Sequence, residues 1–271
     1  MGHSTNIGLL AGWGTLPFEV VKDIQQRGAV PVIIGLKGEA DPELAQRARV
    51  AGGHYHEIAV GQLGRVIEIF HENEVAEIVM AGKVGKKALF CAELDEVVQR
   101  LLVRLPQKND DAILLAIVEE FEKNGLPVAK QTAYLSSLLA EAGLKTAPLS
   151  SAEESDLQLG FRMAKAMGDL DIGQSVVVKQ GVVIAVEAIE GTDQAIVRGG
   201  TLGGPGAVVV KVSKPNQDFR FDVPTVGSTT LASMLQAQAA VLGVEANKTF
   251  ITNRERFFET ASQNSIKIVS L

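Results

Sequence analysis

The feature that most limits how this chain can fold is the alternation of short apolar runs with amphipathic segments through its first third. Residues 7–11, 30–34, 55–58 and 77–81 are strand-like. Between them apolar side chains recur at helical spacing, as with Val20, Val21 and Ile24 opposite Lys22, Asp23 and Gln26. Helices are expected to open near Pro42 and to span 62–72 and 112–123. A further strand is expected at 126–129, and a short helix or lid at 134–139. Strands that alternate with helices, several apolar throughout, predict a parallel sheet covered on both faces. The first half is therefore read as an α/β, Rossmann-like domain over residues 1–148. The second half has a different pattern. Residues 175–179 and 182–187 flank Gln180-Gly181 and predict a hairpin. Strands are expected at 207–212, 249–251 and 266–269, and helices at 155–167, 229–240 and 253–262. That pattern predicts an α+β domain over 149–271, entered through a Pro-, Ser- and Thr-rich stretch.

Composition narrows the function classes. With 46% hydrophobic and 21% charged residues among 271, the chain can bury real cores and is not disordered. A net charge of −6 argues against non-specific nucleic-acid binding, which needs a basic face. The single cysteine, Cys91, permits no intrachain disulfide and no cysteine-based zinc site, as in a reducing compartment. The amino terminus lacks the pattern of a signal peptide, and no apolar run approaches the ~18 residues of a membrane span. The expectation is a cytoplasmic protein, one still able to meet a membrane surface.

Residues with chemistry cluster late in the chain. Glu190-Gly191-Thr192-Asp193 precedes the glycine-rich 199–206, a strand-like run ending in Lys211, then Lys214, Arg220, Asp222 and Thr225. Carboxylates beside Lys and Arg suit a metal-assisted phosphate site. Mg²⁺ takes one or two carboxylates and shares substrate phosphates, and Lys and Arg neutralise phosphate oxygens. Glycines let backbone approach a ligand closely. In the first half, Gly12-Trp13-Gly14-Thr15-Leu16-Pro17 follows the first strand, where a helix amino terminus can hold a pyrophosphate. Pro17 replaces the third glycine of a dinucleotide fingerprint, and the second strand ends without an acid for a ribose, so nicotinamide binding is disfavoured. The loop carrying Lys83, Lys86 and Lys87 reads either as an anion clamp or as a solvated turn. Asp110 and Asp111 read as helix capping for at least one of the pair, or as contacts to substrate hydroxyls. His54 and His56 share a strand face without a third ligand and read as structural. Tyr134, Leu138 and Met234 are expected in the core rather than in a groove for lipid chains.

Taken together, these motifs resemble the UDP-2,3-diacylglucosamine pyrophosphatase family of lipid A biosynthesis, the LpxI type. The resemblance runs from Ile7 nearly to the end. It is carried by the Gly12 turn, by Ala81-Gly82-Lys83-Val84, Asp110-Asp111-Ala112-Ile113-Leu114, the 171–178 run, the 185–193 run that ends in Glu190-Gly191-Thr192-Asp193, Lys211, Lys214-Pro215, Gln217-Asp218, and Arg220-Phe221-Asp222-Val223-Pro224-Thr225-Val226-Gly227. The Glu-Gly-Thr-Asp and Asp-x-Pro-Thr-x-Gly runs are its specific parts. Trp13 stands where the family more often has a small residue, and Lys86 where it often has Arg.

The resemblance implies two domains with substrate held in the cleft between them. It also implies Mg²⁺-dependent hydrolysis of UDP-2,3-diacylglucosamine to UMP and 2,3-diacylglucosamine 1-phosphate (lipid X), with water attacking the β-phosphorus. Asp222 falls on the family's essential aspartate. The expected substrate contacts are Gly12, Gly14, Thr15, Leu16, Lys83, Asp110, Asp111, Thr192, Lys211, Lys214, Arg220 and Thr225; the expected metal ligands are Asp222, Asp193 and Glu190. Expected partners are the lipid-linked nucleotide, the inner-membrane surface in transient contact, and a second copy in a homodimer. Two readings from other classes stay open: a sugar-nucleotide sensor without catalysis, and a nucleotide-dependent oxidoreductase on the Gly12 turn.

Overall fold

A computed structural model describes residues 5–85, 93–106 and 109–271. Lys86, Lys87, Cys91 and Lys108 lie outside the described residues. The chain divides into two compact units, Met1–Leu135 with Phe219–Phe221, and Ser136–Asp218 with Asp222–Leu271.

The first unit begins with β1 (Asn6–Ala11), α1 (Leu16–Gln26), β2 (Val30–Leu36), α2 (Glu43–Val50), β3 (His54–Ile58), α3 (Leu63–Glu72) and β4 (Val75–Ala81). The sheet has the order β3-β2-β1-β4 and every pairing is parallel, as the alternation predicted. Helices α1 and α2 pack on β1, β2 and β3. α4 (Glu96–Arg104) and α5 (Asp110–Lys123) follow. Val66, Phe70, Val98, Leu101, Val118 and Phe121 from α3, α4 and α5 close a core with Val32, Ile34, Ile78 and Met80 of the strands.

Residues 126–129 do not form the expected strand. Val128 makes only an isolated parallel bridge to Ile78, fixed by two backbone bonds of Ile78 at 2.8 Å, to Pro127 and Ala129. Pro127 has no N–H to extend a ladder. The short α6 (Gln131–Tyr134) ends this stretch. Tyr134 is buried, donates to Glu77 at 2.6 Å and stacks under the Arg27 guanidinium. Leu138, expected in a core, is buried in the second unit.

The first α-helix of the second unit is α7 (Ser151–Asp169). It begins earlier than its periodicity predicts because Ser150 and Glu153 form a reciprocal capping box. The hairpin β5 (Ser175–Lys179) and β6 (Val182–Val186) comes next, its turn held by buried Asp156, which accepts from the Gln180 and Gly181 amides at 2.7 Å. α8 (Thr192–Gly203), β7 (Val208–Lys211), β8 (Thr225–Val226), α9 (Ser228–Gln236), β9 (Val241–Val244), β10 (Phe250–Ile251), α10 (Arg254–Gln263) and β11 (Lys267–Ser270) complete it. The main sheet has the order β11-β9-β7-β5-β6, with β11, β9 and β7 parallel and β5 antiparallel to both neighbours. Strand alternation sorts its side chains. Val176, Val178, Val208, Val210 and Val241 face Leu157 and Ala164 of α7. Val177, Val209, Leu242, Val244 and Ile268 face Ile196, Leu231, Met234 and Phe257 of α8, α9 and α10.

Two expectations need correction here. The glycine-rich 199–206 is mostly helix, not a ligand-approaching loop. A Cβ on Gly199 would lie 2.7 Å from Val177, and one on Gly200 2.5 Å from Ala237, so these glycines let α8 close onto its neighbours. The helix expected over 229–240 stops at Gln236, and the apolar residues beyond it lead into β9 between β7 and β11. Among the described residues no helix is long and apolar enough to cross a membrane.

Candidate functional site

In the first unit the expected anion contacts gather where β1 and β4 end. In the order β3-β2-β1-β4 the sense of strand succession switches between the parallel neighbours β1 and β4, and ligands of open α/β sheets collect at such a point. Trp13 and Lys83 form a two-way bridge: Trp13 N–H donates to Lys83 at 2.7 Å, and Lys83 N–H to Trp13 at 2.8 Å. Gly12 donates to Ala81 at 2.9 Å, and a Cβ on Gly12 would sit 2.4 Å from the Lys83 carbonyl oxygen, so only glycine fits. The amides of Gly12 and Trp13 are thus consumed by the fold. The amides that can face an anion are those of Gly14, Thr15 and Leu16, at the start of α1 where helical N–H groups have no intrahelical acceptor. Thr15 is the N-cap residue, yet its hydroxyl does not cap the helix; Pro17 fills the first turn without an N–H. The Lys83 and Trp13 side chains are exposed at the same strand ends.

Arg220 also belongs to this unit. Gln131, 3% exposed, fixes its segment: its N–H donates to Phe219 at 2.8 Å, and its side-chain amide donates to Met80 at 2.8 Å and Phe221 at 3.3 Å. Arg220 itself reaches Glu122 at 2.7 Å. Asp110 and Asp111 lie exposed in the first turn of α5, but the cap is Asn109, which accepts from Ala112 N–H at 3.0 Å.

In the second unit, Lys211 closes β7. It is buried and donates to the Thr225 carbonyl at 3.0 Å, while the Thr225 hydroxyl donates to Val223 at 3.0 Å. Lys214 pairs with Asp171 at 2.5 Å. Asp222 is half-buried. Its Oδ2 accepts from Gln217 Nε2 at 2.6 Å, and Gln217 Oε1 accepts from Lys214 N–H at 2.8 Å. Further along the chain, buried Glu245 accepts from Ser213 N–H and Oγ at 2.9 and 2.8 Å and from Lys248 and Lys165 at 2.8 and 3.1 Å. Burial pushes this carboxyl up, but the bonds from Lys248, Ser213 and Lys165 outweigh it and hold the pKa at about 2.

Thr192 opens α8. Its hydroxyl donates to buried Glu187 at 2.9 Å and lies 3.2 Å from Ser175 Oγ, so it is already part of an internal network. Asp193 is half-buried in the same first turn. Glu190 accepts from Arg198 at 2.5 Å; its own backbone N–H and that guanidinium hold its pKa below the usual carboxylate range.

Among the described residues no three His, Cys, Asp or Glu side chains cluster closely enough to hold a metal ion by themselves. Mg²⁺ does not require that, since one or two carboxylates and substrate phosphates satisfy it. Asp222, Asp193 and Glu190 are hard oxygen donors of the right kind; Asp222 Oδ2 is bonded to Gln217, and Glu190 is engaged by the Arg198 guanidinium. Gln131 and Glu245 are absent from the residues singled out in the sequence, and Gln217 stands there only within a motif, with no role attached. Amides carry no spacing signal, and Glu245 follows β9, a four-residue strand that no turn signal separates from the helix expected before it.

A family model for the LpxI N-terminal domain matches residues 6–138, and one for the LpxI C-terminal domain matches residues 140–269. The chain is 29% identical over 281 residues to a UDP-2,3-diacylglucosamine pyrophosphatase LpxI of Caulobacter vibrioides, covering 98% of this chain and 97% of that protein. Among solved structures, a UDP-glucose-4-epimerase of Stenotrophomonas maltophila with bound NAD is similar over 45% of this chain and 34% of its own, at 15% identity and a TM-score of 0.31. A phosphoribosylglycinamide formyltransferase of Anaplasma phagocytophilum covers 87% of this chain and 82% of its own, at 12% identity and a TM-score of 0.30. Structural likenesses that low carry no weight for fold or activity.

Proposed function

Because the chain belongs to the LpxI family, we propose that it is a UDP-2,3-diacylglucosamine pyrophosphatase of lipid A biosynthesis, yielding UMP and 2,3-diacylglucosamine 1-phosphate. The observation that carries this reading is the match to a pyrophosphatase along 98% of the chain.

The chemistry asks for three things, and residues of this chain are suited to each. A pyrophosphate diester bears two negative charges that repel an incoming nucleophile, so they must be neutralised. Lys211, Lys214 and Arg220 are the cations proposed for that task, with the amides of Gly14, Thr15 and Leu16 and the Lys83 ammonium as further phosphate donors. Water must be held in line with the leaving group. Asp222 is proposed to orient it and to accept its proton as it attacks the β-phosphorus, so that UMP departs. Turn geometry favours this role: Pro224 and Gly227 separate Asp222 from α9, which starts at Ser228, so the carboxylate does not cap that helix. Mg²⁺, held by Asp222 and Asp193 with Glu190 a weaker third, would supply charge neutralisation and acidify the water. Asp110, Asp111, Thr192 and Thr225 remain proposed contacts to the sugar and phosphate hydroxyls and oxygens. Transient contact with the inner-membrane surface is proposed because the substrate carries two acyl chains.

The test is turnover by the wild-type protein and the Asp222→Asn variant, each with Mg²⁺ and with EDTA, read as UMP release. Wild-type release that falls by at least ~10³-fold with Asp222→Asn and stops with EDTA supports the reading. Equal rates for the two proteins remove Asp222 from the chemistry. A wild-type protein that binds the lipid nucleotide without cleaving it is a sensor instead.

A further inference from the structure

We infer that Gln217 is a positioning residue for this hydrolysis, its carboxamide locking the Asp222 carboxylate to the backbone of Lys214. The inference rests on Asp222 being the carboxylate that acts on water. Gln217 Oε1 accepts from Lys214 N–H at 2.8 Å, and Gln217 Nε2 donates to Asp222 Oδ2 at 2.6 Å. The first bond settles the orientation of the amide. A backbone N–H can meet only its oxygen, so the donor end must face Asp222. Main-chain bonds close the same loop: Gln217 N–H reaches Lys214 at 3.2 Å, and Asp222 N–H reaches Asp218 at 2.9 Å.

The loop is itself anchored. Glu245, 6% exposed, grips Ser213 through both N–H and Oγ, one residue before Lys214. A half-buried carboxylate on a loop without regular structure is thus tied by the Gln217 side chain to a point fixed in the unit's interior. The role needs an acceptor and a donor at opposite ends of one planar head. Glutamine supplies both; glutamate at neutral pH supplies only acceptors. A carboxylate that loses the bond to Oδ2 is held less closely in the geometry of attack, and a misplacement of ~1 Å can lower a rate by about 10²-fold.

Gln217→Glu keeps the length and an acceptor for Lys214 N–H but sets oxygen against oxygen at Asp222. Gln217→Met keeps the length and removes both bonds. Steady-state kinetics with UDP-2,3-diacylglucosamine and Mg²⁺ are run on wild type and both variants, with melting temperatures measured in parallel. The expected result is a kcat lower by roughly 10- to 100-fold, with KM within about threefold and melting close to wild type. A wild-type kcat in either folded variant overturns the inference, as does a loss confined to KM. Activity lost only in step with lost melting temperature assigns Gln217 a purely structural part and overturns it too. Absence of turnover by wild type defeats the pyrophosphatase reading and this inference with it, whereas wild-type turnover beside insensitive Gln217 variants defeats the inference alone.

Discussion

Replacing Glu245 with Gln should destabilise the fold at neutral pH and leave it little changed in acid. Glu245 is 6% exposed, and its oxygens meet Lys165, Lys248 and two donors of Ser213. A glutamine of the same shape retains one acceptor, but its NH₂ must face either a lysine or the Ser213 donors. A carboxyl moved from 4.5 to about 2 favours the folded protein by about 3 kcal/mol, at ~1.36 kcal/mol per pH unit. Because the folded-state pKa is depressed, this stabilisation is present above pH 4.5 and fades as pH falls toward about 2. Urea unfolding followed by circular dichroism is the assay, with wild type and Glu245→Gln compared near neutrality and near pH 3. The expected gap is on the order of 2–3 kcal/mol near neutrality, narrowing in acid. Equal stabilities at neutral pH, or a gap that widens on acidification, would refute the argument that the two lysines and Ser213 hold this carboxylate.

Other consequences can be measured directly. Gly200→Ala places a Cβ 2.5 Å from Ala237 and should lower stability by ~1–3 kcal/mol in the same urea assay. Burial, then Glu57, raises the phenol pKa of Tyr55; burial, then the Glu77 bond, raises that of Tyr134 further. Spectrophotometric titration should therefore show both tyrosines ionising above the ordinary range when native and within it in urea, so alkali costs stability as pH rises through the unfolded value. Lys211→Met removes a buried cation bonded to Thr225 and should reduce kcat/KM by about 10- to 100-fold in the UMP-release assay.

Much of the first unit was legible because each strand is short, apolar and followed by a helix with clear periodicity, and such a pattern leaves few arrangements other than a covered parallel sheet. Legibility failed where one signal ran into another. The apolar stretch past Met234 continues without a turn signal into Val241 and Leu242, so the expected helix runs four residues too long, to Ala240, and the short β9 that follows is not expected. Gly199, Gly200 and Gly203 read as breakers in sequence, but their missing side chains are what lets α8 pack against Val177, Ala237 and Ile184. The expected site residues were legible as residue types in motifs. What each touches was not. That Thr192 is spent on Glu187, that Arg198 occupies Glu190, and that Gln217 holds Asp222 all depend on contacts across loops that carry no periodicity.

The most direct test of the central claim is hydrolysis of UDP-2,3-diacylglucosamine by the purified wild-type protein with Mg²⁺ in ¹⁸O-water, products weighed by mass spectrometry. The account predicts UMP without label and 2,3-diacylglucosamine 1-phosphate carrying one labelled oxygen. Label in UMP would keep the hydrolase and contradict attack at the β-phosphorus; no UMP from folded protein would contradict the claim itself.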